Sequence, residues 1–465
     1  MIRRCILQIG TEKTGTTSLQ AFLARNRERL QARGILYPRF PGHFNHTGLA
    51  AYAMDDTRSD PLRGAFGVNS DAAVAEFRHR IERQAEAELL GPGMTVFCSE
   101  HCHSRLTTQA EVQRLSDLLR PYFDRIDISV YLRRQDQVAV SLHSTQLKSG
   151  ATDTDILPQT NADDPYFNYD RSLAFWETAF GQQHVYVRLF DRRELVAGDV
   201  IADFLAAWGL GTPKEYLTVE KLNESINAPA QDFLRRVNTT LEPLPGLPKA
   251  AVQGPLADLL ARHFSGRGPR PSRQAAEAFY AMYRDANEAV RQRYFPERKV
   301  LFDGNFDAYP ETPDRVEFGA DEMALIAARL QSVQTREIRR LEAEIHIRDG
   351  RLAWERGAHE TALSLFGLAK AHLPDHAEAA RTLAEFLYQM DRYDEAAENA
   401  RHAATLRPDN YEYWHFLGMT LHAAGDFAGA MAAQERALEI EPDHEPSRRT
   451  FDAIRAELSV TRAAS

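Results

Sequence analysis

Residues 5–17 read Cys-Ile-Leu-Gln-Ile-Gly-Thr-Glu-Lys-Thr-Gly-Thr-Thr, an apolar run followed by a loop rich in glycine and threonine. The apolar run has the length of a strand, and residues 18–33 after the loop repeat apolar residues at helical spacing. A loop that joins a strand to a helix N-terminus directs several backbone N–H groups at one point. The stretch therefore predicts an anion-binding site near the start of the chain.

Apolar runs of strand length recur further along, at residues 95–98, 126–132 and 184–189. Segments with helical periodicity, such as residues 72–90, lie between them. Apolar strands that alternate with helices predict a parallel sheet with helices on both faces. We expect an α/β domain of this type over residues 1–320.

A second candidate anion site lies at the end of the 126–132 run. Arg133 stands where that strand should end, and a helix that begins near Asp136 brings Ser141 round to the same side. A guanidinium fork and a hydroxyl group suit the oxygens of a phosphate. We interpret Arg134 as a solvated neighbour. Two anion sites at one edge of a sheet indicate a ligand with two phosphate groups.

The first loop resembles the P-loop but departs from it. The Walker pattern G-x-x-x-x-G-K-[ST] places lysine directly after the second glycine. That position is Thr16 here, and the lysine lies inside the loop at Lys13. We therefore expect a P-loop-like fold that does not hydrolyse nucleoside triphosphates.

Together, the two motifs resemble the sulfotransferases that use 3'-phosphoadenosine 5'-phosphosulfate. The family's 5'-phosphosulfate loop reads about K-[ST]-G-[ST]-[ST], as residues 13–17 do, and its 3'-phosphate element places Arg at a strand end and Ser eight residues later, as Arg133 and Ser141 stand. Three further stretches look like bacterial members of the family: Ile-Leu-Tyr-Pro at 35–38, Ser-Glu-His at 99–101 and Asn-Glu-Ser at 223–225. The resemblance covers most of residues 1–300.

The resemblance implies 3'-phosphoadenosine 5'-phosphosulfate as cosubstrate, with no metal ion required. Lys13 would neutralise the charge that develops on the leaving phosphate oxygen. The residues that would hold the 5'-phosphate are Lys13, Thr14, Gly15, Thr16 and Thr17. Arg133 and Ser141 would hold the 3'-phosphate.

A general base must remove the proton of the acceptor hydroxyl or amine. Glu100 and His101 follow the 95–98 strand, so we expect them at the same edge of the sheet as the loop. We favour Glu100 over His101. His46 and His43 are the remaining candidates, because family members use this early loop near the acceptor.

Three further groups of residues allow more than one interpretation. Cys98, His101, Cys102 and His103 are potential zinc ligands, but their spacing is not that of a usual paired Cys/His site, so we expect no metal there. The basic residues Arg267, Arg270 and Arg273 either form a solvated loop or close over the 3'-phosphate. The aromatic residues of 166–176 either line an acceptor pocket or pack in the core.

The last third of the chain repeats with a period of 34 residues. Pro374, Pro408 and Pro442 share this spacing, and each precedes an aspartate. The period is that of tetratricopeptide repeats, which we place at 343–376, 377–410 and 411–444, with a closing helix at 446–459. We therefore predict an all-α solenoid over residues 343–460, with a protein partner as a candidate ligand.

Apolar residues recur at helical spacing through residues 321–349, a stretch that contains no proline or glycine. They predict a helix that links the α/β domain to the repeats. The alternative is that this helix is the last element of the N-terminal domain.

Composition limits the range of partners. The chain has 465 residues and a formal net charge of −10, which disfavours nucleic acid and anionic membranes as partners. Three cysteines are too few for a disulfide framework, and no apolar stretch is long enough to span a bilayer. The apolar run at 5–9 is too short for a signal peptide. We expect a cytoplasmic protein.

The sequence predicts a sulfotransferase whose acceptor is a glycan, a lipid or a small metabolite. A glycan is favoured by family analogy alone. Two other functions compete with it: a P-loop kinase, and a nucleotide-binding tetratricopeptide scaffold without catalysis.

Overall fold

The computed structural model describes residues 2–464 apart from residues 59, 69, 90, 92, 219–224, 241–248, 315, 317 and 318. The chain divides into two compact units, Met1–Met323 and Ala324–Ser465. Of the Asn-Glu-Ser stretch at 223–225, residues 223 and 224 lie outside the described residues.

The described part of the first unit contains one parallel sheet of five strands in the order β2-β3-β1-β4-β5. The strands are β1 (Arg4–Gln8), β2 (Ile35–Leu36), β3 (Met94–Cys98), β4 (Arg125–Leu132) and β5 (Val185–Leu189). β1 lies at the centre, where Leu7 pairs in register with Phe97 of β3 and Ile128 of β4. The loop after β1 therefore emerges between the loops that follow β3 and β4.

The helices of this unit connect the strands and follow the sheet. They are α1 (Thr16–Arg25), α2 (Arg27–Gln31), α3 (Thr47–Ala53), α4 (Pro61–Gly64), α5 (Asp71–Glu88), α6 (His101–Arg105), α7 (Gln109–Leu119), α8 (Gln135–Lys148), α9 (Tyr169–Phe180), α10 (Val200–Trp208), α11 (Ala228–Thr240), α12 (Lys249–His263), α13 (Arg273–Ala281) and α14 (Arg284–Tyr294). Single turns of 3₁₀-helix occur at Arg120–Tyr122, Gln182–His184, Val196–Gly198 and Pro213–Glu215.

The sheet is apolar on both faces because its side chains alternate between two cores. On β1, Cys5 and Leu7 pack with residues of α3, α5, α7 and α9. Ile6, between them, packs on the opposite face with residues of α1 and α10. This two-residue alternation of fully buried side chains explains why the strands read as continuous apolar runs. The predicted parallel sheet with helices is confirmed.

The second unit is a run of antiparallel helices. They are α15 (Ala320–Glu355, beginning at the end of the first unit), α16 (His359–His372), α17 (Ala377–Gln389), α18 (Tyr393–Leu406), α19 (Tyr411–Ala423), α20 (Phe427–Ile440) and α21 (Glu445–Ala464). The three Pro-Asp pairs lie in the short loops that precede α17, α19 and α21. The helical solenoid predicted from the 34-residue period is confirmed.

Small residues in phase with the repeat allow the paired helices to approach closely. Ala362, Ala396 and Ala430 are fully buried. Ala403 and Ala437, about two helical turns after Ala396 and Ala430, are also buried. Such positions tolerate no larger side chain without displacing the neighbouring helix.

The linking helix, predicted over residues 321–349, and the start of the first repeat, predicted from residue 343, belong to one long helix. α15 runs through Gly350 to Glu355, so its last part forms the first helix of the first repeat. A Cβ atom at Gly350 would lie 2.5 Å from Cε1 of Phe366. Gly350 is therefore required by close packing and does not end the helix.

No helix in the described part of the chain has the length and apolar character needed to cross a bilayer.

Candidate functional site

The loop between β1 and α1 has an unusual backbone. Gly10, Lys13 and Gly15 have φ angles of 111°, 65° and 77°, all in the left-handed region. A Cβ atom at Gly15 would also lie 2.9 Å from Cγ1 of Val200. Glycine at position 15 lets the backbone turn tightly into the first turn of α1.

Hydrogen bonds from the side chains of Thr11 and Thr14 hold this loop in place. The Thr14 hydroxyl donates to the Thr11 carbonyl at 2.6 Å, and the Thr11 hydroxyl donates to the Tyr131 carbonyl at 3.0 Å. Thr14 is buried and does not line the cavity described below. The Thr14 side chain therefore stabilises the loop. A contact of Thr14 with a phosphate would have to come from its backbone N–H group.

A cavity of about 480 Å³ lies over the loop, at the carboxyl ends of the strands. Ligands of open α/β sheets bind at this edge. Predicted site residues lining it are Lys13, Gly15, Thr16, Thr17, Glu100, His101 and Ser141. Further residues lining it, which the sequence analysis did not single out as site residues, include Glu12, Ser144, Thr145 and Lys148. Residues from three separate parts of the chain thus converge on one cavity.

Lys13 reaches across the cavity to α8. Its Nζ donates to Oγ1 of Thr145 at 2.5 Å. Burial lowers the pKa of Lys13, while the nearby Glu12 and Glu100 carboxylates act in the opposite direction. The lysine is held in place by a neutral hydroxyl, so its charge remains available to an anion.

Arg133 lines a neighbouring cavity of about 510 Å³, which shares Ser141, Ser144 and Ser225 with the first. Its Nη1 donates to the Lys13 carbonyl at 3.0 Å. This bond joins the end of β4 to the loop after β1. The two predicted anion sites are therefore adjacent, with Ser141 at both.

The three arginines of the basic loop at 267–273 have different environments, so neither predicted role, a solvated loop or a loop over the 3'-phosphate, applies to all of them. Arg267 lines the same cavity as Arg133. Arg270 instead forms a two-point ion pair with Asp314, and Arg273 lies 3.2 Å from Glu311. Arg270 also lines this cavity, but Asp314 already neutralises its charge, and Arg273 does not line it. Of the three, Arg267 is therefore the best placed to meet an anion beside Arg133.

Arg134 is not the solvated neighbour that we predicted. It is 6% exposed, makes a two-point ion pair with Asp136, and donates to the carbonyls of Asp303 and Asn305 at 2.7 Å each. Its guanidinium also lies over the Phe306 ring. Asp136 lies two residues away, but Asp303 and Asn305 are 169 and 171 residues away, so the local motif gave no sign that they bury Arg134.

Glu100 and His101 enter the cavity at the start of α6. Oε2 of Glu100 accepts a hydrogen bond from Nε2 of Gln20 at 2.5 Å. The His101 side chain is 22% exposed, and its Nδ1 lies 3.9 Å from Oε1 of Glu12. Both candidate bases therefore lie beside the loop that carries Lys13.

Glu12 was missed as a site residue. Its Oε2 accepts a hydrogen bond from the Tyr166 hydroxyl at 2.7 Å. Burial raises the pKa of Glu12, but the Ser104 and Tyr166 hydroxyls and the Lys13 and Arg105 charges outweigh it, and the net shift is downward. The available signal was an acidic residue inside a loop otherwise made of glycine, threonine and lysine.

The alternative bases His46 and His43 lie elsewhere. His46 is fully buried, with Nε2 2.9 Å from the Pro38 carbonyl and Nδ1 accepting from the Cys98 amide at 3.0 Å. Burial lowers the pKa of His46 to about 4. His43 is exposed and does not line the cavity. His46 is a structural residue because both of its ring nitrogens are occupied.

The candidate zinc ligands are spread over buried positions. Cys98 and Cys102 are buried free thiols, and the buried His103 ring lies against Tyr166. Burial lowers the pKa of His103 to about 4. Within the described residues, no group of three or more His, Cys, Asp or Glu side chains is arranged to hold a metal ion.

Comparison with known proteins concerns the second unit. Tetratricopeptide repeat models match residues 353–418 and residues 411–444. The C-terminal region consists of tetratricopeptide repeats. These matches agree with the helix pairs and the 34-residue period described above.

Similar proteins match part of the chain. An uncharacterized protein of Archaeoglobus fulgidus is 32% identical over 134 residues, which are 25% of this chain and 35% of that protein. Protein FlbA of Caulobacter vibrioides is 33% identical over 94 residues, 20% of this chain and 16% of FlbA. The chain thus spans about a third or less of the length of these curated relatives.

Solved tetratricopeptide structures are similar to a quarter of the chain. The first repeat domain of Spaghetti (RPAP3), bound to an HSP90 peptide, is 17% identical with a TM-score of 0.25, covering 26% of this chain and 95% of that one. The Sgt2 repeat domain from Aspergillus fumigatus is 22% identical with a TM-score of 0.25, covering 27% of this chain and 84% of the Sgt2 domain. The Arabidopsis OM64 domain is 15% identical with a TM-score of 0.24, covering 26% and 98%.

Proposed function

We propose that this protein transfers a sulfonate group from 3'-phosphoadenosine 5'-phosphosulfate to a hydroxyl or amine acceptor. The observation that carries the proposal is the convergence of Lys13, Thr16, Thr17, Ser141 and His101 on one cavity at the carboxyl ends of a parallel sheet. The strand order 2-3-1-4-5 puts the loop after β1 between those after β3 and β4, which suits a P-loop-like anion site.

The loop would hold the 5'-phosphate and Lys13 would stabilise its developing charge. Backbone N–H groups at the start of α1 and the hydroxyls of Thr16 and Thr17 suit the phosphate oxygens. When the bond between sulfur and the bridging oxygen breaks, the electron pair stays on that oxygen. A nearby ammonium group lowers the cost of this charge without a metal ion.

The neighbouring cavity would receive the 3'-phosphate. Arg133 and Ser141 line it from β4 and α8, and Arg267 lines it from the loop after α12. A guanidinium group binds phosphate oxygens in a fixed fork geometry. Because the two cavities share Ser141, a single bisphosphorylated nucleotide could bridge both.

The acceptor would enter opposite Lys13, beside Glu100 and His101. One of these two would take the proton of the acceptor hydroxyl or amine. A glycan, a lipid and a small metabolite remain the candidate acceptors. The repeats would contact a protein partner or present a large acceptor, because stacked helix pairs form extended binding surfaces.

A transfer assay tests the proposal. The full chain is given the sulfur-35-labelled donor and a panel of glycan, lipid and small-molecule acceptors, with EDTA present. We expect labelled product from the native protein and from the control Glu28→Gln on exposed α2, and a loss of about 10²-fold or more in Lys13→Met. Transfer that Lys13→Met retains in full would contradict the assignment.

The same preparation separates the two competing functions. Phosphoryl transfer from γ-labelled ATP with Mg²⁺, and none from the sulfonate donor, would identify a kinase. Binding of 3',5'-bisphosphoadenosine without transfer to any acceptor would favour the scaffold.

A further inference from the structure

The His101 ring has one buried edge that lacks a hydrogen-bond partner. Among the described residues, no group forms a hydrogen bond with its Nδ1, although that atom is removed from solvent. The ring itself lines the cavity and is 22% exposed. Because Nδ1 is the buried atom, the exposed part of the ring is the edge that carries Nε2.

The carboxylate that faces Nδ1 of His101 is that of Glu12. Oε1 of Glu12 lies 3.9 Å from Nδ1, slightly longer than a hydrogen bond. Oε2 is fixed by the Tyr166 hydroxyl at 2.7 Å, and the side chain is only 14% exposed. Such bonds are commonly long before substrate binds and shorten in the loaded enzyme.

We infer that Glu12 is a positioning residue that holds His101 with its proton on Nδ1, so that Nε2 is free to accept the proton of the sulfonate acceptor. This inference rests on the proposed function. A buried carboxylate behind an imidazole fixes the tautomer and stabilises the imidazolium that forms. The inference favours His101 over Glu100 as the base.

The proton and electron balance is closed by groups in the cavity. The acceptor oxygen or nitrogen forms a bond to sulfur and gives its proton to Nε2 of His101. The bond between sulfur and the bridging oxygen breaks, and its electron pair remains on the phosphate oxygen beside Lys13. No oxidant, reductant or further reactant is needed.

Charged and titratable groups near Glu12 and His101 come from three parts of the chain. Glu12 and Lys13 belong to the loop after β1, Glu100 and Arg105 to the start and end of α6, and the Tyr166 hydroxyl to the segment before α9. Replacing Glu12 by glutamine removes the anion in contact range of Nδ1. The Nδ1-protonated form of His101 then loses the carboxylate that favours it.

Nitrogen-15 NMR of histidine-labelled full-length protein tests the pair without an activity assay. His101→Gln identifies the His101 resonances. We expect neutral His101 to carry its proton on Nδ1 in the native protein and in the control Glu28→Gln, and to carry more of it on Nε2 in Glu12→Gln. A proton on Nε2 in the native protein, or the same distribution of the proton between the two nitrogens in Glu12→Gln, overturns the inference.

Kinetics separates failure of the inference from failure of the proposed function. In Glu12→Gln we expect kcat to fall by about 10²-fold and binding of 3',5'-bisphosphoadenosine to stay unchanged. Full activity in Glu12→Gln overturns the inference alone. A native protein that neither binds the bisphosphate nor transfers sulfonate overturns the proposed function, and the inference with it.

Discussion

At the scale of single residues, Arg133 and Arg134 show how neighbouring side chains take different roles. The strand ends at Leu132, so the two arginines leave it in different directions. Both line the same cavity, but Arg134 is ion-paired with Asp136 and lies over the Phe306 ring, whereas Arg133 forms no ion pair with a described residue. Only the first has a charge that an incoming anion can use.

Alanine at each position should therefore give different results. Arg133→Ala should weaken 3',5'-bisphosphoadenosine binding by about 10- to 150-fold, from the about 1.5–3 kcal/mol of a charge-assisted contact, with little change in stability. Arg134→Ala should lower the free energy of unfolding by about 3–5 kcal/mol, because it leaves the buried Asp136 carboxylate without its cation, with the Tyr309 hydroxyl still donating to it. Calorimetric titration and chemical denaturation measure the two effects. Equal loss of binding at native stability in both variants would contradict this division.

Lys13 predicts a pH dependence of anion binding. Burial lowers its pKa, so the proton is lost at lower pH than from an ordinary lysine, whose pKa is about 10.4. Bisphosphate affinity should therefore fall as pH rises through that lowered pKa, and Lys13→Gln should remove most of this fall. Burial also lowers the pKa of Lys148 in the same cavity. A pH dependence lost in Lys148→Gln and kept in Lys13→Gln would assign the cation to Lys148.

At the scale of elements, the sequence predicted those with strong periodicity. The four longer strands were placed within one residue at each end, because buried parallel strands are continuous apolar runs. β2 was not predicted as a strand, since Ile35–Leu36 is too short to form a pattern. The helix predicted between the two units was expected to run into the first repeat, and α15 continues through Gly350, which contacts Phe366 sixteen residues later.

Two helical glycines in the first repeat make a matched test of that contact. Gly350→Ala places a Cβ atom against the buried Phe366 ring, which is stacked on Phe386 and cannot move freely. The overpacking cost of about 1–3 kcal/mol should exceed the gain of about 1 kcal/mol in helix propensity. Gly367→Ala meets open space and should stabilise the unit by up to about 1 kcal/mol. Stabilisation of similar size in both variants would show that the Gly350 contact is unimportant.

At the scale of the whole molecule, the two units should fold separately. The first contains its own sheet with a hydrophobic core on each face, and the helices of the second pack against their neighbours in the stack. We expect a fragment of residues 1–323 to be folded by circular dichroism and to bind 3',5'-bisphosphoadenosine as the full chain does. A fragment that is insoluble, or folded but unable to bind, would show that the repeats complete the first unit.

Residues of the candidate site could be predicted where they belong to a short sequence motif. The loop residues, Arg133, Ser141, Glu100 and His101 followed from short patterns at strand ends, and topology brought them together. Glu12 and the buried environment of Arg134 depend on partners such as Tyr166 and Asp303, more than 150 residues away in sequence. His46 was misjudged because burial against Pro38 and Cys98 also depends on the fold.

Nucleotide binding by the full-length native chain tests the central claim most directly. A ligand present at 100 times its Kd adds about 2.7 kcal/mol to the stability of the folded state, which raises the melting temperature measurably. We predict that 3',5'-bisphosphoadenosine raises the melting temperature and that ATP with Mg²⁺ at the same concentration does little, because Thr16 stands where the Walker lysine would be. Equal stabilisation by the two nucleotides, or stabilisation by ATP with Mg²⁺ alone, would contradict the account.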